Sequence, residues 1–290
     1  MYNLNKISRK SNLNTCTIKS NSKLISSHLF NDGYVVIKNL LSDKEISKLK
    51  SVFANKKYLD SFINETNNNS YGLPNASHTI KEISDLVANP KLIEIMKLAF
   101  VNQPFCFTSH SDLLLNVVSP WHKDDGKGSY FEGFPDYIKS DSCKVYKVGI
   151  YLHDCSKSGG LSVKPGSHLS GYKLFGLDYN SSHDELYLNS NLGDIIIFDV
   201  RITHKGDSLS SSSFIERIKR KLGFFKDKIL DYERQSIFFS YGLDNKYSKV
   251  FADKNMERQV KQLRDSASKM IPDRLSSKLK SQGVGFYCVK

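Results

Sequence analysis

A β-sandwich or jelly roll flanked by helices is the fold class this sequence predicts, and three observations predict it. Short runs rich in β-branched and aromatic residues recur from about residue 103 to 241. Gly, Pro, Asn, Asp or Ser separate most of them. Amphipathic helical patterns precede and follow that series. With 290 residues, 17 Phe and 15 Tyr, the chain can bury one large core.

In order, residues 1–28 are polar, with no apolar stretch after their basic residues. This predicts a flexible leader rather than a secretory signal. The main domain is expected over 29–252. LFNDGYVVIKNLLSDKEISKLKSVF (29–53) reads as turn, strand, turn, helix. Tyr34–Ile37 is a β-favouring run, Ser42 and Glu45 form a capping box, and Ile46, Leu49 and Phe53 share one helix face. Ile80, Ile83, Leu86 and Val87 predict a second helix around 79–100, broken at Asn89-Pro90 and continued by Lys91–Phe100. Strands are expected at Phe105–Thr108, Leu113–Val118, Val145–Leu152, Leu161–Val163, Glu185–Leu188, Asp194–Asp199 and Gln235–Tyr241.

Residues 205–233 interrupt the strands as an insertion, beginning with a Ser-rich loop, Ser208–Ser213. In FIERIKRKLGFFKDKIL, Phe214, Ile218, Leu222, Phe225 and Ile229 make an apolar stripe opposed by Arg217, Lys219, Arg220, Lys221, Lys226 and Lys228. Three readings stand: a helical flap on the barrel, a lid that binds an anionic substrate group, or a membrane-surface helix over 214–230 that collects a lipid-linked substrate. Residues 253–290 form a helical extension. Met256, Val260, Leu263, Ala267 and Met270 make a 4-3-4-3 seam for the core or, over 253–271, for a second subunit.

The net charge of +12 is uneven: residues 1–204 hold 23 Lys/Arg against 20 Asp/Glu, and 205–290 hold 19 against 10. The C-terminal third thus invites an anionic partner. Nucleic acid ranks last, because no recognised motif accompanies the charge. Cys16, Cys106, Cys143, Cys155 and Cys288 are odd in number and lack C-x-x-C pairing, which argues against a disulfide framework or structural zinc site. A cytoplasmic location is expected, peripheral to a membrane on the third reading of the insertion.

The chemistry concentrates in LLLNVVSPWHKDD (113–125) and GDIIIFDVRITHKGD (193–207). Side chains two apart on extended chain share a face, so His122 and Asp124 converge while Asp125 points away. His204, just past a buried strand, supplies a second imidazole. Two His and one carboxylate on one face of an ion leave open positions for O2 and a bidentate co-substrate, the facial triad of non-haem iron(II) oxygenases. A lone H-x-D is weak, and any single His here is more often structural; the combination is the signal. A zinc hydrolase on a cupin-like barrel could use the same ligands, but no H-E-x-x-H helix is present. A jelly-roll binding protein without turnover is the other alternative.

These segments resemble the phytanoyl-CoA dioxygenase family of iron(II)/2-oxoglutarate-dependent oxygenases. The resemblance spans about 29 to 241: FNDGYVVIKNLLSDKEI, WHKDD, GGLSVKPGSH (159–168), GDIIIFDVRITH (193–204) and ERQSIFFSYG (233–242). It implies a double-stranded β-helix, with His122, Asp124 and His204 as metal ligands and His168 as a turn residue; His110, His153 and His183 match no ligand position. It implies Fe(II), 2-oxoglutarate and O2 as cofactor and co-substrates, and succinate, CO2 and an oxidised small molecule as products. Related halogenases lack the ligand carboxylate, so Asp124 points to hydroxylation, with desaturation and ring closure as variants. 2-Oxoglutarate needs a cation for its distal carboxylate, and arginine's planar fork suits it. Arg234 and Ser236 form an R-x-S resembling the family's clamp, although residues 205–233 separate them further from His204 than is usual; Arg201 and Arg217 are the alternatives. Asn116 is a candidate for the keto-acid end.

Overall fold

The computed structural model describes residues 15–16, 22–59, 63–66, 70–156, 158–170, 184–206, 234–262 and 270–287. The N-terminal part runs β1 (Thr15–Cys16), α1 (Ser22–Asn31), β2 (Tyr34–Ile37), α2 (Asp43–Ala54), α3 (Lys56–Leu59), β3 (Ile63–Thr66) and β4 (Ser70–Pro74), then α4 (Ala76–Thr79), α5 (Lys81–Val87) and α6 (Pro90–Ala99). The β-rich part is β5 (Phe105–Leu115), β6 (Val145–Tyr151), β7 (Leu161–Val163), β8 (Leu186–Leu188), β9 (Ile195–Asp199), β10 (His204–Gly206) and β11 (Gln235–Leu243). The chain closes with α7 (Lys246–Gln262), α8 (Asp273–Lys280) and β12 (Gly285–Phe286).

The strands make two sheets. The larger follows β1-β2-β9-β6-β11-β5-β4-β3, with β12 also on β5; the smaller is β10-β7-β8. This is the expected double-stranded β-helix core with helices at both ends. Strand alternation divides its interior. Val35 and Ile37, Ile195 and Ile197, and Ile237 and Phe239 enter the core under the helices, whereas Tyr34, Val36, Ile196, Phe198 and Phe238 face the smaller sheet. The inner face of β6 therefore presents Lys147, Gly149 and Tyr151, because Tyr146, Val148 and Ile150 belong to the helix-side core.

The α2 capping box forms as the sequence predicts: the Ser42 hydroxyl accepts from Glu45 N–H, and Glu45 Oε2 accepts from Ser42 N–H at 2.8 Å. Glu45 also accepts from the Asn89 amide at 2.8 Å, joining α2 to the start of α6. Partial burial raises the Glu45 carboxyl, but these bonds outweigh it and bring it down to about 2. A carboxyl depressed on folding stabilises above its unfolded value, about 4.3, and loses that contribution as pH falls toward 2. Ser42→Ala is expected to cost about 1 kcal/mol at neutral pH in urea denaturation, with the gap to wild type narrowing between about pH 4.5 and 2.

Several expectations are corrected. The boundary at residue 28 falls inside α1, which starts at Ser22 because Ile25 and Leu29, one turn apart, are buried. The strands expected at 105–108 and 113–118 are one strand, β5, with a register shift opposite Phe239/Tyr241. The helical extension expected over 253–290 is not one continuous helix. It begins at Lys246 and buries Met256 in the chain's own core, while Pro272 starts a new helix and Met270 is 74% exposed. Leu263 and Ala267 lie outside the described residues. So does nearly all of 205–233, including the 214–230 stripe. Among the described residues, no helix is long and apolar enough to cross a membrane.

Candidate metal centre

His122 and His204 meet through their backbones. Each N–H donates to the other's carbonyl at 2.9 Å, an antiparallel bridge outside the regular strands. Directly opposed residues project the same way, and the two rings lie 4.2 Å apart. Asp124 N–H donates to the Val200 carbonyl at 2.8 Å. This places Oδ1 3.5 Å from His122 Nε2 and Oδ2 3.3 Å from His204 Nε2. One ligand atom from each of the three lies within 4.8 Å of the others. As alternation requires, Asp125 turns away and accepts from the Tyr137 hydroxyl at 3.1 Å. Lys123 does likewise, donating to the carbonyls of Ser167 at 2.6 Å and Arg201 at 2.5 Å.

The remaining ring nitrogens fix the tautomers. His122 Nδ1 lies 2.8 Å from the Pro120 carbonyl and His204 Nδ1 3.0 Å from the Ile202 carbonyl. A carbonyl only accepts, so each Nδ1 carries the proton and each Nε2 lone pair faces Asp124. Burial, then the adjacent His122, lowers the His204 pKa and favours the neutral, ligating form. Burial also opposes charge on His122, but Asp124 outweighs it and raises the pKa. Burial would raise Asp124; Lys147 and the two histidines hold it well below the usual carboxylate range. Once His122 gives up its Nε2 proton, two imidazole nitrogens and one anionic oxygen make a donor set that fits a divalent transition metal.

The triad faces a cavity of about 350 Å³, walled by Tyr151, Phe198, Phe238 and Leu161 and by the charged Lys147 and Arg234. Arg234 is buried, its Nε donating to the Gly159 carbonyl at 2.9 Å and a terminal nitrogen to the Tyr151 hydroxyl at 3.3 Å. Its other terminal nitrogen donates to Val117 O. Ser236 shares its strand face and its buried hydroxyl has no hydrogen-bond partner among the described residues, but it is not among the residues that line the cavity. Asn116 does not line this cavity: β5 ends at Leu115, Asn116 turns to φ 57°, and its Oδ1 accepts from Arg234 N at 2.9 Å. It holds the Arg234 backbone.

The other candidates are engaged elsewhere. Arg201 grips Asp199 with Nε at 2.8 Å and a terminal nitrogen at 2.7 Å; Arg217 and His183 lie outside the described residues. His168 bonds the Phe30 carbonyl at 2.9 Å and packs on Gly33, where a Cβ would come within 2.6 Å of its ring. His153 lies 3.2 Å from the Gly159 carbonyl, and His110 pairs with Asp112 at 2.9 Å.

Sequence reasoning missed Lys147, whose Nζ lies 2.7 Å from Asp124 Oδ2, and Arg258 and Tyr130 on the cavity wall. The signal for Lys147 was present: a lysine at an inward position of a buried strand. Gly149 is equally informative, because a Cβ there would lie 2.7 Å from the Phe238 ring. Gly149→Ala is expected to push Phe238 into the cavity and cost about 1–3 kcal/mol in chemical denaturation.

Comparison with known proteins agrees with this geometry. A model of the phytanoyl-CoA dioxygenase family matches residues 30–218, a span that includes the triad and ends before Arg234. No curated protein sequence matches the chain. Among solved structures, the non-haem α-ketoglutarate-dependent carbocyclase SnoK of nogalamycin biosynthesis aligns with a TM-score of 0.60 at 18% identity, over 84% of this chain and 93% of that one. The epimerase SnoN of the same biosynthesis gives 0.55 at 14% identity, over 80% and 88%. EctD from S. alaskensis, solved with 2-oxoglutarate and 5-hydroxyectoine, gives 0.54 at 17% identity, over 75% and 74%. At such identities the likeness is one of fold.

Proposed function

Because the chain belongs to the phytanoyl-CoA dioxygenase family, and with it to the iron(II)/2-oxoglutarate-dependent oxygenases, we propose that it hydroxylates a C–H bond of a small-molecule substrate. The observation that supports this most is the meeting of His122, Asp124 and His204 within 4.8 Å on one side of a cavity. When bound, iron supplies the oxidation: 2-oxoglutarate loses CO2 to become succinate, and the two atoms of O2 are divided between succinate and the substrate.

The chain's own residues bind and orient. His122, Asp124 and His204 would hold the ion, with two imidazole nitrogens and one carboxylate oxygen as its protein donors. Arg234 meets the distal carboxylate of 2-oxoglutarate with its planar fork, and Ser236 donates a second hydrogen bond to it. The backbone contact from Asn116 keeps that guanidinium in place. Tyr151, Phe198 and Phe238 enclose the reacting C–H bond and keep water from it.

The test is succinate formation by protein loaded anaerobically with iron, then given 2-oxoglutarate, O2 and extract of its source. Iron- and O2-dependent succinate, with a product gaining one oxygen atom, supports hydroxylation. A product of unchanged mass would mean epimerisation, and loss of two hydrogens ring closure or desaturation. Turnover with zinc and without O2 would overturn the oxygenase reading in favour of a hydrolase. Failure to bind or consume 2-oxoglutarate would leave a binding protein.

A further inference from the structure

A second cavity, of about 470 Å³, adjoins the one that the triad faces, and Tyr130 and Arg258 line both. It runs between the 3-10 helix Gly126–Phe131 and α7, the helix supplying Lys254, Arg258 and Lys261 at spacings of four and three, one face of a helix. Glu132 and Glu257 also line it, so its outer part is mixed in charge. At the junction and the inner end each cation has a carboxylate beside it, Asp112 at Arg258 and Asp124 at Lys147, and each of those carboxylates has other cationic or hydrogen-bonding neighbours.

Arg258 is fixed at the junction. Its Nε and one terminal nitrogen donate to Asn255 Oδ1 at 3.0 and 2.9 Å, and the other terminal nitrogen to Gln262 Oε1 at 2.9 Å. Its nearest carboxylate, Asp112, is 3.3 Å away and already accepts from His110 at 2.9 Å and Gln259 at 2.8 Å. Asp112 thus orients the guanidinium while sharing its own charge among several donors. Further in, Lys147 has a side chain only 12% exposed and an ammonium 5.8 Å from the centre of the Phe238 ring. Among the described residues the carboxylate it touches is Asp124, at 2.7 Å, and its charge also acts on Asp112. On the oxygenase reading, Asp124 also serves the metal. A mostly buried ammonium whose carboxylate neighbours are shared with other partners is costly, and a ligand anion offsets it.

We propose that the prime substrate carries an anionic group, a carboxylate or a phosphate, seated between Lys147 and Arg258, with the rest of the molecule leaving through the second cavity past Lys261. The anion places the substrate beside the triad without touching Arg234, so the two acidic ligands of the reaction occupy separate cations. This inference rests on the oxygenase reading of the same site, and its test separates the two.

The full chain is loaded with Mn2+ and 2-oxoglutarate, and bound manganese is counted by electron paramagnetic resonance. Inorganic phosphate and 13C-acetate are then titrated in, following the relaxation of their 31P and 13C resonances. Wild type is expected to relax at least one of them saturably, and which one responds identifies the class of anion. Lys147→Met is expected to weaken that binding at least ten-fold, with manganese still bound and the thermal melt retained; Arg258→Met should weaken it as well. Lys261→Met, outside the junction, should change it less than three-fold. Saturable relaxation of neither anion by manganese-loaded wild type would overturn the proposal, as would relaxation unchanged in Lys147→Met, the behaviour of an anion on the metal itself. Failure of wild type to hold manganese would instead sink the metal-site reading.

Discussion

Asp124→Ala is expected to abolish iron-dependent succinate formation and to weaken metal binding by more than roughly 100-fold, since even outer groups that only orient metal ligands contribute 10–100-fold. Asp124 is the only anionic member of the triad, and both of its oxygens face an imidazole nitrogen, at 3.5 and 3.3 Å. Without it, two neutral nitrogens remain beside the Lys147 ammonium, which then repels a dication it previously shared a carboxylate with. The loss should therefore exceed that in His122→Ala, where the carboxylate and His204 persist. Manganese titration by electron paramagnetic resonance reads the affinity, and a thermal melt separates it from unfolding. Succinate formation within ten-fold of wild type would remove Asp124 from the metal's ligands.

Arg234→Gln is expected to raise the dissociation constant for 2-oxoglutarate by roughly 30-fold or more, the about 2 kcal/mol at the lower end of what truncating a buried charge partner costs. Arg234 also donates to the backbone carbonyls of Gly159 and Val117, so its loss lowers stability as well as affinity. Ser236→Ala isolates the ligand contribution. Its hydroxyl is buried without a partner among the described residues. Removing it should leave the melt unchanged or raised, yet weaken 2-oxoglutarate by roughly ten-fold, about 1.5 kcal/mol for one hydrogen bond to a charged group. Calorimetric titration of the manganese-loaded protein measures both variants. Unaltered affinity in Arg234→Gln would move the clamp to another cation.

Much of this site was legible because its signals are local. The H-x-D parity of His122 and Asp124, the buried run ending near His204 and the R-x-S of Arg234 each depend on two-residue alternation, which the backbone enforces wherever the chain is extended. The capping box at Ser42 and Glu45 is legible for the same reason: donor and acceptor lie three residues apart. Asn116 misled because alternation was carried past Leu115, where the strand ends and a left-handed residue resets the direction. The seam misled at its end because the helical period was carried to Met270, which is exposed and lies just before the separate helix that Pro272 opens. Arg258 was invisible to pattern reading. Its place on the cavity wall depends on how α7 lies across β5, with Gln259 and Arg258 both reaching Asp112 about 146 positions earlier in the chain.

The reciprocal backbone pair between His122 and His204 has a consequence for assembly. Those two hydrogen bonds tie the segment after β5 to the first residue of β10, so both imidazoles come into place only once the larger sheet has closed over the smaller one. An ion gripping both rings acts as a rivet across that seam: it binds the zipped chain and not the open one. Loading should then raise the melting temperature in step with ion concentration, by linkage worth about 2.7 kcal/mol at a hundred times the dissociation constant. Hydrogen exchange at the His122 and His204 amides should slow with it, while the distant α2 amides stay as they were.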